Sequence, residues 1–309
     1  MKKVFIDGSA GTTGLRIFER IASRDDVELI TLPDEVRKDA AARKKAINSA
    51  DVVFLCLPDD ASREAVSFVE NPNVTIIDAS TAHRTLPDWA YGLPELSKAH
   101  EEKIIHSKRI AVPGCHASGF IALVYPLIEN GFLDKDALLM CHSITGYSGG
   151  GKKMIAEYED ENRNPLLDAP RQYALGQQHK HLKEMKAVCG LENAPIFCPI
   201  VSDFYSGMTV TVPIFASMLK KGGIEEIKAL YKEKYTSEFV KYVENVDEGG
   251  LLSGLANSQK DGMKIAVAGN EERILLLASY DNLGKGASGA AIECMNIAIA
   301  ADREKGLVL

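Results

Sequence analysis

Short apolar runs alternate with stretches of helical spacing along the first third of the chain. Val4-Phe5-Ile6-Asp7 reads as a strand, a glycine-rich turn follows, and apolar residues then recur at helical intervals over 14–22. Strand, glycine turn and helix make a βα unit. A second strand is predicted over 27–32, a charged helix over 37–48 and an almost fully apolar strand over 52–57. An unbroken apolar run of that kind belongs in a parallel sheet buried on both faces. A helix over 62–69 leads into Thr75-Ile76-Ile77-Asp78, and Ile110-Ala111-Val112 adds a further strand. The prediction is an α/β fold with a Rossmann-type doubly wound parallel sheet, its ligand loops at the C-terminal ends of the strands. Beyond residue 116 the pattern changes. Residues 138–145, 196–201 and 208–215 alternate apolar with polar positions, which predicts an antiparallel or mixed sheet in a second domain. The last strong pattern, small and apolar over 287–303, is a helix that packs back onto one of the two domains.

Charge narrows the partners. Asp and Glu number 43 against 36 Lys and Arg, a net charge of −7, and there is no long basic run. Nucleic acid and anionic membrane surfaces therefore find no electrostatic footprint, and small molecules are the expected partners. Met1-Lys2-Lys3 leads straight into the first strand, and no apolar stretch reaches membrane-spanning length, so a cytoplasmic protein is expected. The six cysteines are scattered without a C-x-x-C pair, which predicts reduced and mostly structural thiols.

Cys115 stands apart from the other five. It follows Pro113-Gly114 and precedes the helical pattern over 119–128, which puts it at a helix N-terminus. Partial positive charge and free amides there favour thiolate over thiol. A small buried hydrophobe is the ordinary alternative for a lone cysteine, but the position favours a nucleophile. Gly8, Gly11 and Gly14 space G-x-x-G-x-x-G between the first strand and helix, where backbone can approach a pyrophosphate, and Thr12 and Thr13 add hydroxyls. No acid stands at the end of the second strand, where NAD enzymes hold the ribose 2′-hydroxyl. Arg37 and Lys38 come soon after it, which favours NADP, although they read equally well as solvated helix charges.

Arg84 follows the strand ending at Asp78 and would emerge at the ligand edge, where a guanidinium clamps phosphate or carboxylate; a surface arginine is the alternative. Ser148 through Gly151 predict either a nest of amides for an anion, with Lys152 or Lys153 beside it, or a flexible loop. His179 and His181 lie two apart, which predicts one imidazole toward the site and one away. The H-x-H spacing lacks the cysteines or acids of a zinc site, so no metal is expected. Arg163, Arg171 and Lys180 are candidate ligands for a substrate carboxylate.

Asp7-Gly8-Ser9-Ala10-Gly11-Thr12-Thr13-Gly14-Leu15, Asp78-Ala79-Ser80-Thr81-Ala82-His83-Arg84, Pro113-Gly114-Cys115, His179-Lys180-His181 and Asp281-Asn282-Leu283-Gly284-Lys285-Gly286-Ala287-Ser288-Gly289 occur in that order. Together they resemble the N-acetyl-γ-glutamyl-phosphate reductases of arginine biosynthesis in their shorter form, nearly end to end. The resemblance implies a relative of the aspartate-semialdehyde dehydrogenases, with a Rossmann domain over 1–115 and 285–309 and an α+β substrate and dimerisation domain over 116–284. It implies NADPH held by Gly8, Ser9, Ala10, Gly11, Thr12, Thr13, Gly14, Ser80 and Asn282. It further implies Cys115 as nucleophile, His181 as acid–base partner, Arg84, Ser148, Gly149 and His179 as substrate ligands, and a homodimer or homotetramer. Lys180 stands where the longer form has arginine, and His116 where others carry an aromatic or aliphatic residue. The choice between His179 and His181 stays open on that account. Rival readings are an aspartate-semialdehyde dehydrogenase or other acyl-phosphate reductase, and a non-enzymatic NADP-binding redox sensor in which Cys115 is oxidised.

Overall fold

The computed structural model describes residues 1–309, in two compact units: Met1–Pro113 with Ala287–Leu307, and Gly114–Gly286 with Val308–Leu309. In the first unit, β1 (Lys2–Asp7), β2 (Val27–Ile30), β3 (Val52–Leu55), β4 (Thr75–Asp78), β5 (Ala90–Tyr91) and β6 (Arg109–Ala111) form a sheet ordered β2-β1-β3-β4-β6-β5. Every neighbouring pair is parallel. All four residues of β3 are buried, as its continuous apolar run requires. The connections carry α1 (Thr12–Ile21), α2 (Ala40–Ser49), α3 (Asp59–Ser67) and α4 (Lys98–His106). Chain order reverses between β1 and β3, the point at which a doubly wound sheet opens a crevice at its C-terminal edge. Gly8 sits there with φ +89°, and a Cβ on it would lie 2.3 Å from the Cys56 carbonyl oxygen. Neither the dihedral nor the space admits a side chain. The charged helix starts later than its pattern suggests, because the Asp39 side chain accepts the Ala42 N–H at 2.8 Å and caps α2. Arg37 and Lys38 therefore precede the helix, and the reading of them as helix charges is corrected.

In the second unit, α5 (Cys115–Glu129) leads to β7 (Met140–Gly146), α6 (Gly151–Glu159), β8 (Arg171–Gln172) and α7 (His181–Cys189). Then come β9 (Ile196–Ser202), β10 (Met208–Phe215), α8 (Ile224–Lys234), β11 (Val240–Tyr242), β12 (Met263–Gly269) and β13 (Arg273–Tyr280). The strands form one mixed sheet ordered β11-β12-β13-β10-β7-β9-β8. One face is covered by α5, which packs on β10 and β13, and by α8 on β12; α7 packs against α5. On the other face, Met140 pairs with Ile196, and the alternation along β10 and β13 brings Phe215 and Leu275 to the same side; all four are exposed. The nucleophile helix α5 is almost wholly buried and contains Pro126, which cannot donate to the carbonyl four residues earlier. That carbonyl, of Ala122, instead accepts the Tyr235 hydroxyl at 2.6 Å.

A turn over Gly284–Ser288 leads to α9 (Gly289–Ala298), which belongs to the first unit. Its Ala290, Ala291, Ile292, Cys294 and Met295 join Val4, Ile6, Val52, Phe54 and Ile110 in one apolar core. The helix stops at Ala298, short of the pattern's end, and Arg303 turns back to pair with Glu293 and Glu95.

Candidate active site

The first unit presents two motif loops at the C-terminal edge of its sheet, Gly8 to Gly14 after β1 and Ser80 to Arg84 after β4. A cleft of about 380 Å³ is lined by Asp7, Gly8, Ser9, Ala10, Thr31 and Leu32, and also by Asp34, Arg37, Lys38 and Arg43. Thr12, the first residue of α1, has a buried Oγ1 without a hydrogen-bond partner, and the first turn contains neither an acid nor a side-chain cap. Bare helix N-terminal amides beside an unsatisfied hydroxyl fit the pyrophosphate of a dinucleotide. Burial pushes the Asp7 carboxyl above its ordinary value, opposed by Arg43, whose Nε donates to it at 3.0 Å. In the other loop, the fully buried Asp78 accepts Ser62 Oγ at 2.8 Å and the Ser80 amide and hydroxyl at 2.9 and 2.7 Å, and pairs with His83 at 2.6 Å. The Ser80 hydroxyl is thus committed within its loop. Arg84 donates to the carbonyls of Val112 at 2.8 Å and Ala79 at 3.0 Å, bracing the ends of β6 and β4.

In the second unit, Cys115 is the first residue of α5, half-buried, with no acid in the first turn. Its backbone is held from several sides. The preceding amide, Gly114 N–H, donates to Glu184 Oε1 at 2.8 Å. The Tyr280 hydroxyl donates to the Cys115 carbonyl and accepts the Gly119 N–H at 3.0 Å, bridging the first helical turn. Gly286 lies so near that a Cβ on it would come 2.9 Å from Cys115 Cβ, and one on Gly119 would come 2.6 Å from the Tyr280 hydroxyl. Glycine is required at both positions by close approach. The carboxylate of Asp281 shapes the neighbouring turn by accepting the amides of Leu283 at 2.6 Å and Gly284 at 2.9 Å.

Beside the cysteine, His116 belongs to a directional chain. Ser143 Oγ donates to the Thr209 carbonyl at 3.2 Å and so accepts from His116 Nδ1 at 2.7 Å, which leaves His116 Nε2 to accept the Tyr173 hydroxyl at 2.7 Å. The tautomer follows from that network. Burial, and secondarily His179, pull His116 from 6.5 down to about 3, so it is neutral. Burial and then Cys115 push the Tyr173 phenol up, so it keeps its proton. The His116 ring lies 5.8 Å from His179, 5.6 Å from His181 and 5.2 Å from Phe197. His179 Nδ1 accepts the His181 amide at 3.2 Å, at the start of α7.

Several expectations are corrected. The two motif histidines do not face opposite ways: Lys180 is already helical at φ −55°, ψ −32°, and the rings lie 4.6 Å apart. Nor do residues 148–151 form an anion nest. The Ser148 amide donates to the Tyr205 carbonyl at 3.0 Å, while Gly151, Lys152 and Lys153 begin α6. The buried Ser148 hydroxyl instead accepts Asn282 Nδ2 at 3.0 Å, with Gly149 adjacent to that amide. Arg163 is engaged by Asp168 and Asp203, whereas Arg171 meets the Tyr158 hydroxyl at 3.0 Å and has a buried Nε without a partner. No group of three or more His, Cys, Asp or Glu side chains is arranged to hold a metal ion. Sequence reasoning missed Ser143, Tyr173, Tyr280 and Gly286. Tyr280 directly precedes the Asp281-Asn282 motif and Gly286 lies within it, so both had a local signal; Ser143 and Tyr173 had none.

Comparison with known proteins places this geometry. A family model described as the semialdehyde dehydrogenase dimerisation domain matches residues 115–282, and one for the semialdehyde dehydrogenase NAD-binding domain matches 34–104. N-acetyl-gamma-glutamyl-phosphate reductase of Sinorhizobium medicae is 44% identical over 97% of this chain and 99% of its own. That of Brucella ovis is 44% identical over 96% and 98%. The chain belongs to the N-acetyl-γ-glutamyl-phosphate reductase family. The first unit of this reductase-family member is an NAD(P)-binding domain. The fold of the chain is shared with aspartate semialdehyde dehydrogenase of Francisella tularensis, at TM-score 0.72 and 16% identity over 96% of this chain and 99% of that one. The Candida albicans aspartate semialdehyde dehydrogenase with NADP gives TM-score 0.70 and 14% identity over 96% and 99%. No helix is long and apolar enough to cross a membrane.

The buried neutral imidazole of this family member makes stability depend on pH. Because folding lowers the His116 value from 6.5 to about 3, the unfolded chain binds a proton in that window that the folded chain does not. Stability therefore rises with pH through the window and is lost on acidification. Between about pH 7 and about pH 5 the wild type should lose about 2 kcal/mol more than His116→Gln, measured by urea unfolding. Equal losses would contradict the assignment of a buried neutral ring.

Proposed function

We propose that this chain reduces N-acetyl-γ-glutamyl phosphate to N-acetylglutamate semialdehyde with NADPH, releasing phosphate, through a thioester on Cys115, in arginine biosynthesis. The observation that carries the reading is Cys115 at the first position of α5, with its flanking backbone pinned and an imidazole pair at the start of α7. The Cys115 thiolate attacks the acyl carbon, a carbon–sulfur bond forms, and the carbon–oxygen bond to phosphate breaks. Helix N-terminal amides favour both the thiolate and the oxyanion that forms on the acyl oxygen. When bound, the dinucleotide supplies the hydride that reduces the thioester. His181 gives a proton to the resulting hemithioacetal oxygen and takes it back as the carbon–sulfur bond breaks, freeing the aldehyde and restoring the thiolate. His179 is the less suited partner for that task, because its Nδ1 is occupied at the head of α7; it serves as a substrate ligand. Arg84 binds the substrate phosphate, and Ser148, Gly149 and Asn282 contribute to the substrate and nicotinamide subsites. Arg171, with its unsatisfied buried Nε, suits the substrate carboxylate.

Gly8 to Gly14 hold the pyrophosphate, with Ser80 assigned to the same cofactor. NADPH is preferred because Arg37 and Lys38 line the cleft past the end of β2, where the nearby acid, Asp34, lies 3.6 Å from the Arg37 guanidinium. The exposed apolar face bearing Met140, Ile196, Phe215 and Leu275 supports a homodimer, or a homotetramer built from it, through the domain described for dimerisation. Scattered cysteines agree with a cytoplasmic, reducing setting.

Incubating wild type with acyl phosphate should yield an acyl-enzyme adduct on Cys115 by mass spectrometry, whereas Cys115→Ala should give none and lose activity by about a thousandfold or more. Oxidation of Cys115 without acylation would support the redox-sensor alternative. The Arg37→Ala, Lys38→Ala double variant should raise the KM for NADPH about tenfold or more while leaving that for NADH within about twofold. Equal effects on both cofactors would contradict the 2′-phosphate assignment.

A further inference from the structure

The short helix α7 brings together two groups with different tasks. His181 is its first residue, and Glu184 stands one turn later; positions three apart lie on neighbouring parts of one helix face. Glu184 is only 2% exposed, and its Oε1 accepts the Gly114 N–H at 2.8 Å. Gly114 caps α5 immediately before Cys115. We infer that Glu184 is a positioning residue: its carboxylate ties the helix carrying the acid–base imidazole to the backbone carrying the thiol, and so sets the separation of His181 and Cys115.

Electrostatics argues against a different role. A carboxylate this near a thiol disfavours the thiolate, and it occupies an amide at the end of the helix where negative charge is otherwise stabilised. A side chain that activated the cysteine through its field would carry the opposite sign. What Glu184 supplies is a charge-assisted hydrogen bond of defined length and direction. Nor is Glu184 the only hold on the nucleophile's turn. Tyr280, at the end of β13, grips the Cys115 carbonyl and the Gly119 amide, and Gly286 packs against the Cys115 side chain. Neither of those elements carries the imidazole. Glu184 is the grip that joins thiol and imidazole, and reacting groups misplaced by about 1 Å can lose about a hundredfold in rate.

The inference rests on the Cys115 and His181 chemistry proposed above. Glu184→Gln keeps an acceptor oxygen on the same stem, whereas Glu184→Ala removes it. Single-turnover acylation and steady-state kinetics should show Glu184→Gln within about threefold of wild type, and Glu184→Ala slower by about thirtyfold in kcat with the substrate KM within about twofold. Unchanged acylation in Glu184→Ala would overturn the tether, as would Glu184→Gln falling as far as Glu184→Ala, which would mark the charge as the working feature. If Glu184→Ala does not fold, Glu184→Asp serves instead: it keeps the charge but falls one methylene short of Gly114. Slow acylation there supports the tether, and wild-type acylation overturns it. Wild type run alongside separates the two claims. Absence of an acyl-enzyme in wild type would overturn both, whereas acylation in wild type with no loss in the variants would overturn only the tether.

Discussion

The backbone on either side of Cys115 is the constraint on which the second unit depends. A helix N-terminus stabilises negative charge only at its first turn, so the thiol must stay at the first position of α5. The surrounding residues act on that requirement. Gly114 before it is tied to Glu184, the carbonyl of Cys115 is tied to Tyr280, and glycines at 119 and 286 let those neighbours approach. Farther along, the helix accommodates Pro126 because Tyr235 satisfies the carbonyl that proline leaves without its helical donor. The helix is buried almost all round, and its polar groups are answered individually by side chains from α7, α8 and β13.

A comparable economy governs the first unit. The reversal of strand order between β1 and β3 brings the turn after β1 against the Cys56 carbonyl, and the lack of a side chain at Gly8 makes that approach possible. The same turn leaves the start of α1 without a side-chain cap and the Thr12 hydroxyl without a partner, an arrangement that fits a bound pyrophosphate. Asp7 and Arg43 then balance charge beside it. Around His116, by contrast, the polar groups satisfy one another: a neutral ring, a serine and a tyrosine form one directed chain, which fixes the tautomer of an imidazole packed against the two motif histidines.

Much of this was legible in the chain. A continuous apolar run marked β3, the glycine spacing marked the crevice, and the position of Cys115 marked the head of α5. What escaped was non-local. Ser143 on β7 and Tyr173 just past β8 reach His116 from far away in sequence, and β8 is only two residues long, below the length at which alternation can be read. The histidine pair was misread because an H-x-H spacing suggests alternating sides of a strand, whereas the chain turns into α7 at Lys180 and brings both rings together. The serine–glycine loop was misread because three consecutive glycines mask the start of α6.

Thioester chemistry at Cys115 is tested most directly by the reverse reaction, reduction of NADP by N-acetylglutamate semialdehyde and by aspartate semialdehyde, each with and without inorganic phosphate. Turnover is expected with the acetylated semialdehyde, and only when phosphate is present to release the acyl group from Cys115. Turnover with aspartate semialdehyde alone, or with neither, would contradict that expectation.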